Sequence, residues 1–229
     1  TVMGEGLEHY VKEPYVENDT LKWRAVPENS LDDNILRPVS NPFAPNGGLK
    51  VLKGNLGRSV IKVSAVKPEH RYVKAPAVVF DDQDEVIAAF KRKELNKDVV
   101  VVVKNQGAHS IGMPELHKLT PTLSLLQFAG HRVALVTDGR MSGASGKVPA
   151  AIHLSPEAAK GGMIAKLQTG DLIELDPENG ILNCLNFEEV EARETTTAEN
   201  HNSYGVGREL FNQLKTLVSE SEEGASFII

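Results

Sequence analysis

At 229 residues, with 41% apolar and 24% charged residues and a formal net charge of -6, the chain can bury one large or two small globular cores. The acidic balance argues against a nucleic-acid surface, and the apolar runs fall far short of the ~20 residues that span a bilayer, so no membrane anchor is expected. The single cysteine excludes an intramolecular disulfide and any cysteine cage for zinc or an iron–sulfur cluster built from this chain alone. No signal-peptide pattern opens the sequence, a reducing cytoplasm fits the cysteine usage, and Thr1 running straight into Val2-Met-Gly-Glu-Gly-Leu reads as a piece of a longer polypeptide.

Residues 1–48 are rich in proline, asparagine and acidic groups. Leu7, Tyr10 and Val11 have helical spacing and predict a short first element. Asp32-Asp-Asn, Pro38, Pro42, Pro45 and Asn46-Gly47-Gly48 punctuate the remainder, which reads as an extended arm packed on the body or on a missing N-terminal domain. Trp23 is expected to anchor the arm by burying its ring. The body, 49–219, begins with short strands at Lys50-Val-Leu-Lys53 and Val60–Val66, where Ile61, Val63 and Ala65 share a face at period two. The intervening Lys53-Gly-Asn-Leu-Gly-Arg-Ser59 reads as a hairpin-type connection that carries two cations, Lys53 and Arg58. Ala77–Phe80 predicts a further strand. Asp81 or Asp82 then caps a helix to about Lys93, whose acidic first turn and basic last turn suit the helix dipole.

Val99–Val103, five valines in a row, predicts a strand buried on both faces. The loop after it, Gln106-Gly-Ala-His-Ser-Ile-Gly-Met-Pro-Glu-Leu-His117, carries two glycines, His109, His117 and Glu115. Thr120 and Pro121 start a helix over 120–129 whose leucines cover most sides, implying deep burial. Val133–Val136 follows as a second buried strand. A strand, crossover helix and parallel strand deliver both following loops to the same sheet edge, which brings Glu115 toward Ser142. Further on, Ser155–Lys160 predicts a capped helix, 171–176 and 181–185 a hairpin, and 187–193 a short helix. Residues 207–219 form an apolar stripe of Leu210, Phe211, Leu214, Leu217 and Val218 on a helix docked to the body, and 220–229 is an acidic, solvated tail. Cys184 reads as a small buried hydrophobe.

The loop after Val136 holds the densest chemistry. Gly139, Gly143 and Gly146 lie among Asp138, Arg140, Ser142, Ser145 and Lys147, so backbone N–H groups and two cations could meet an anion there. The glycine spacing matches neither the dinucleotide fingerprint nor a P-loop, and by spacing alone a tight surface turn and a polar-ligand loop are both open. Arg140, Ser145 and Lys147 are candidates for substrate carboxylate or phosphate contacts, with Lys53 and Arg58 as weaker ones. His109 and His117 are either supporting groups or structural histidines.

Three stretches carry a resemblance: Gly47-Gly-Leu-Lys-Val-Leu-Lys-Gly-Asn-Leu-Gly57, Gly112-Met-Pro-Glu-Leu-His-Lys-Leu-Thr-Pro121 and Thr137-Asp-Gly-Arg-Met-Ser-Gly-Ala-Ser-Gly-Lys-Val-Pro-Ala-Ala-Ile-His153. In this order they resemble the C-terminal part of the dihydroxy-acid/sugar-acid dehydratase family. Met141 and Ala144-Ser-Gly-Lys147 resemble its 6-phosphogluconate branch; the dihydroxy-acid branch usually has Phe and Gly-Thr-Arg-Gly there. The resemblance implies an α/β domain of the swivelling β/β/α kind, with short strands forming a barrel-like sheet and flanking helices. It implies a hydro-lyase converting 6-phospho-D-gluconate to 2-dehydro-3-deoxy-6-phosphogluconate in the Entner–Doudoroff route.

The same resemblance implies two cofactors: an iron–sulfur cluster, expected as 4Fe-4S, with its ligands in a missing N-terminal domain, and Mg²⁺. Ser142 matches the serine that takes the C2 proton, and Glu115 matches the single Mg²⁺ ligand from this part of the protein. The isolated piece is then expected to be inactive, its partners being its own N-terminal domain, a phosphorylated sugar acid and a second subunit of a homodimer. A different sugar acid or a dihydroxy acid is the alternative substrate, and a non-catalytic binding or dimerisation module is the alternative class.

Overall fold

The computed structural model describes residues 2, 4–5, 10–45, 47–142, 146–195, 205 and 207–228. The chain divides into two compact units, Thr1–Asn46 and Gly47–Ile229.

In the first unit, β1 (Lys12–Glu17) and β2 (Thr20–Ala25) pair antiparallel through a two-residue turn. Asn18 and Asp19 both take positive φ (49° and 56°), the conformation a primed hairpin turn needs and which short polar side chains tolerate. The expected arm therefore contains a hairpin, and its expected helical start is partly overturned. Val11 leads directly into a strand, while Leu7 lies outside the described residues. Trp23 is not buried: it is 58% exposed in β2, opposite Pro14, because the two-stranded ribbon supplies no second layer to cover it. Ion pairs Lys22–Glu17 and Arg24–Glu13 cross the ribbon instead.

In the second unit, β3 (Leu49–Gly54) and β4 (Gly57–Lys62) form a hairpin whose two-residue turn is Asn55-Leu56. The short α1 (Pro68–Arg71) leads into β5 (Val73–Phe80), which starts four residues before the predicted strand, with Val73, Ala75 and Ala77 turned into the core. Then come α2 (Gln83–Lys91), β6 (Val99–Val103), α3 (Leu119–Phe128) and β7 (Val133–Thr137). The strand β8 (Ala150–Ser155) follows, then the hairpin of β9 (Leu172–Asp176) and β10 (Ile181–Cys184), α4 (Phe187–Glu191), α5 (Arg208–Phe211) and α6 (Leu214–Leu217). The eight strands β3–β10 close into a barrel in the order β10-β3-β4-β8-β7-β6-β5-β9, with β5, β6, β7 and β8 running parallel to one another. The fold is thus the expected α/β barrel-like sheet with flanking helices.

Two apolar layers follow from strand periodicity. On β6, Val100 and Val102 point into the barrel while Val99, Val101 and Val103 face outward; on β7, Ala134 and Val136 point in while Val133 and Leu135 face out. The outward set is covered by Val86 and Ala89 of α2 and by Leu119, Leu123 and Leu126 of α3, so both central strands are buried on both faces, as their valine runs predicted. The Asp82 carboxylate caps α2 by accepting the Asp84 N–H at 2.6 Å. Burial of α3 is one-sided: Leu125 and Phe128 are 55% and 77% exposed, since a surface helix offers one stripe to the sheet.

Closure depends on one narrow seam. β3 and β10 share a single registered pair, Lys53 with Ile181, and the Asn55 side chain extends it, donating to the Cys184 carbonyl at 2.8 Å and accepting the Cys184 N–H at 2.8 Å. The Lys53–Ser59 loop is thus a structural staple. Cys184 is buried, its Sγ donates to Asn186 Oδ1 at 3.1 Å, and burial pushes its thiol pKa up, as suits an inert core cysteine.

Three expectations change. The predicted helix at 155–160 is replaced by the end of β8, where Ser155 pairs with Arg58, followed by a 3₁₀ turn over Ala158–Lys160. The predicted helix 207–219 is broken into α5 and α6; of its apolar stripe, Phe211, Leu214 and Val218 line a cleft beside the barrel, while Leu210 and Leu217 are 74% and 62% exposed. The acidic end forms a 3₁₀ turn, Ser221–Glu223, against β8, with Glu222 3.1 Å from Arg58.

Candidate active site

Because β6 and β7 are parallel, with Val103 level with Thr137, the chains leaving them start at one barrel rim. The loop after β6 then runs beside the loop after β7. Glu115 bridges to Arg140 in parallel register, the Leu116 N–H donates to the Arg140 carbonyl at 3.0 Å, and Arg140 Nε donates to the Met113 carbonyl at 2.7 Å. Ser142 is exposed, two residues beyond Arg140, and Glu115 is half-buried. The segments carrying these two residues are therefore neighbours, although α3 lies between them in sequence and the Arg140–Met113 bond that joins them spans 27 residues.

Buried charge holds this rim together. The Asp138 carboxylate has no solvent exposure and accepts three backbone N–H groups: Asn105 at 3.2 Å, Gln106 at 2.9 Å and Ala158 at 2.9 Å. One side chain thus ties the loops after β6, β7 and β8. Desolvation pushes its pKa up to about 6, outweighing the donors from Ala158 and Gln106 that favour the charged form. Beside it, Glu157 is 1% exposed and accepts the His109 N–H at 3.0 Å, while its other oxygen lies 3.3 Å from His109 Nδ1 in a contact off hydrogen-bond alignment. Gly107 permits this packing, since a Cβ there would lie 2.3 Å from the Glu157 carboxylate. Likewise a Cβ on Gly139 would lie 2.6 Å from that of Gln106, so the two loops touch because a side chain is missing.

The other sequence candidates are scattered. Ser145 lies outside the described residues. Lys147 is exposed and its carbonyl accepts from Gln127 Nε2 at 3.2 Å. Lys53 sits on β3 and Arg58 on β4, where Arg58 pairs with Glu222. His109 is the buried partner of Glu157, whereas His117 is exposed.

A cleft of about 710 Å³ opens at this rim. Residues 108 and 111–114 form one wall with Arg140 and His153, and the segment 207–227 forms the other. Among the described residues, Arg140 is the one sequence candidate that lines it. His153, which sequence reasoning missed, donates its N–H to the Gly139 carbonyl at 2.9 Å, and its pKa is lowered by burial and by the Arg140 charge. The pinning role of Asp138 was also missed. Its signal in the sequence is a carboxylate placed straight after a fully apolar strand.

The implied cofactors fit unequally. Cys184 is buried on β10, remote in the fold from the β6–β7 rim, and the described residues hold no group of three or more His, Cys, Asp or Glu side chains able to share a metal, so a cluster does not fit this chain alone. Glu115 offers one rim carboxylate, which fits a hard cation as one ligand among several from elsewhere.

Known proteins resemble the chain along nearly all of its length. Residues 34–225 match the family described as dihydroxy-acid/6-phosphogluconate dehydratase, C-terminal. The chain is similar to the phosphogluconate dehydratase of Pseudomonas aeruginosa, at 54% identity over 98% of this chain and 37% of the relative. It is 49% identical to that of Escherichia coli K12, over 100% of this chain and 38% of the relative. A dihydroxy-acid dehydratase of Wolinella succinogenes is 36% identical over 92% of this chain and 38% of its own length. The chain therefore spans less than two-fifths of the length of these relatives. With the match running through both rim loops and nearly all of the barrel, the chain belongs to the dihydroxy-acid/6-phosphogluconate dehydratase C-terminal family.

Proposed function

We propose that this chain is the C-terminal part of a hydro-lyase that dehydrates 6-phospho-D-gluconate to 2-dehydro-3-deoxy-6-phosphogluconate and water, in the Entner–Doudoroff pathway. The observation that carries the reading is similarity along essentially the whole chain to relatives named for phosphogluconate dehydration, at higher identity than to the relative named for a dihydroxy acid. The neighbouring placement of the Glu115 and Ser142 segments supports it.

Ser142 is the base for the C2 proton. The C2–H electron pair forms the C2–C3 double bond as the C3 hydroxide departs and takes up a proton to become water, which balances the proton removed from C2; the resulting enol then loses its C2 hydroxyl proton and gains one at C3 to give the 2-keto product. A hydroxyl of ordinary pKa is a poor base, so Ser142 needs positive charge beside it and a dry cleft; Arg140, two residues away on the same rim loop, supplies part of that charge. Glu115 is one ligand to Mg²⁺, which when bound supplies a hard positive charge for the substrate carboxylate. The iron–sulfur cluster belongs to the proposed N-terminal domain, with which this chain completes the site. A homodimer in a reducing cytoplasm completes the reading.

Ser142→Ala in the full-length enzyme is expected to lower kcat by roughly 10²–10⁴-fold, the range of a lost general base, while the visible spectrum of the cluster is unchanged. Unchanged turnover removes Ser142 from the mechanism. Steady-state assays of the full-length enzyme with 6-phosphogluconate and with a 2,3-dihydroxy acid separate the two substrate readings.

A further inference from the structure

The β1–β2 ribbon of the first unit has two unlike faces. Directly opposed residues of an antiparallel pair share one side of the sheet, so the pairs Pro14–Trp23, Val16–Leu21 and Lys12–Ala25 put five apolar residues and one lysine on one face. The pairs Glu13–Arg24, Tyr15–Lys22 and Glu17–Thr20 put the remaining charges on the other. That polar face is satisfied within itself: Lys22 pairs with Glu17, Arg24 Nε lies 2.6 Å from Glu13 Oε2, and the Arg24 guanidinium sits 5.2 Å from the centre of the Tyr15 ring. The apolar face has no such cover, with Val16, Leu21 and Trp23 exposed by 70%, 58% and 58%. Apolar on one side and polar on the other is the pattern of a sheet packed on one face, and a two-stranded ribbon needs a second layer to be stable.

Two observations identify that layer. The C-terminal family match begins at residue 34, beyond the ribbon, whereas the likeness to the Pseudomonas aeruginosa relative covers 98% of this chain and so takes the ribbon in. The ribbon is thus shared with that relative outside the C-terminal family region, and more than three-fifths of the relative lies outside this chain. Size argues the same way. Five apolar side chains fall far short of the roughly 20–30 residues a side that a stable association of separate molecules takes. A domain joined to the ribbon through the same backbone needs no such area, because the tether holds it at a high effective concentration.

We infer that the apolar face of the β1–β2 ribbon docks on the N-terminal domain of the same polypeptide, with Trp23 seated in an apolar patch there and the Glu13–Arg24 face left in water. This rests on the longer polypeptide of the function proposed above and not on its chemistry. The ribbon then belongs to the surface of that domain, and the chain crosses to the barrel after Ala25. Burying the indole ring is the main driving force, since it is the largest apolar surface on the face.

The test places the photo-crosslinker p-benzoylphenylalanine in the full-length enzyme at Trp23, at Leu21 and, as the control on the polar face, at Lys22. After irradiation the joined peptides are identified by mass spectrometry. Trp23 and Leu21 positions are expected to join to peptides of the N-terminal domain in an adduct of single-chain mass, and that adduct is expected to be lost at the Lys22 position. An adduct to residues 47–229, an adduct of twice the chain mass, or no adduct from either apolar position overturns the docking. Turnover of 6-phosphogluconate by the unmodified enzyme is measured beside it. The N-terminal adduct without turnover leaves the docking standing and removes the functional reading; turnover without that adduct does the reverse. Circular dichroism melts keep misfolding apart from these results, and the Leu21 position decides the matter if the Trp23 variant does not fold.

Discussion

Asp138 is a carboxylate without solvent, held by three backbone N–H groups that still do not fully replace water, so its pKa rises to about 6 from 3.8. The native protein therefore holds this proton more tightly than the unfolded chain does. The associated stability is fully present below pH 3.8 and is lost as pH rises through 6, above which it levels off. A shift of this size corresponds to about 3 kcal/mol. Urea unfolding at pH 4 and pH 7 should show wild type losing up to about 3 kcal/mol relative to Asp138→Asn across that interval; a gap independent of pH means that Asp138 is not the titrating group. Glu115 makes a separate prediction. Glu115→Gln in the full-length enzyme should raise the Mg²⁺ concentration for half-maximal activity by about tenfold or more, the loss of one charged ligand, and an unchanged Mg²⁺ dependence takes Glu115 out of the metal site. Residue identity made Glu115, Arg140 and Ser142 visible as candidates. It could not show that Arg140 reaches the cleft while Lys53, Arg58 and Lys147 do not, because that depends on which loops the barrel sets side by side.

Among the elements, the β3–β10 seam is where closure is thinnest. Gly54 lies against it: a Cβ there would be 1.9 Å from the Leu182 carbonyl oxygen and 2.3 Å from Asn183 Oδ1, and a backbone oxygen cannot swing aside. Gly54→Ala should therefore cost about 2–4 kcal/mol or prevent folding, in the range of overpacking combined with lost strand hydrogen bonds. A thermal melt within 2 °C of wild type, roughly below the shift of half a kcal/mol, would show that the seam can open without cost. The β6–α3–β7 unit was legible because its pattern is local: five valines, a leucine-rich run with Pro121 in its first turn, then a second apolar strand, although α3 starts at Leu119 and the expected Thr120 cap does not form. The β8 strand was not. Ala150–Ser155 is short, and its place between β4 and β7 is set by partners more than 80 residues before it and a dozen residues back across a glycine loop. The split of 207–219 into α5 and α6 was equally hidden, since an apolar stripe on a sequence says which residues share a face and not which face meets the body.

At the scale of the whole molecule, the barrel brings the loops after β6, β7 and β8 to one rim, and the function proposed above requires a second domain to complete the site there. Glu115 is one carboxylate where a hard cation takes six or so oxygens, and the described residues form no shared metal group. The 229-residue chain by itself is therefore expected to give no dehydration of 6-phosphogluconate, with activity seen only in the full-length enzyme; turnover by the isolated chain would show that no second domain contributes to the site. Among the described residues no helix is long and apolar enough to cross a membrane.

Composition, valine runs and glycine-rich loops by themselves determined an α/β body, two buried parallel strands and a rim with an acid, cations and a hydroxyl, because such patterns act through nearest neighbours along the chain. Only the tertiary structure decided the closed eight-stranded barrel, the Asp138 pin, the exposed Trp23, and the turn of α5–α6 that puts Arg208 and Lys215 into the cleft. The physical reason is that burial and pairing are properties of which surfaces meet, and a residue's own chemistry does not say what it will be folded against.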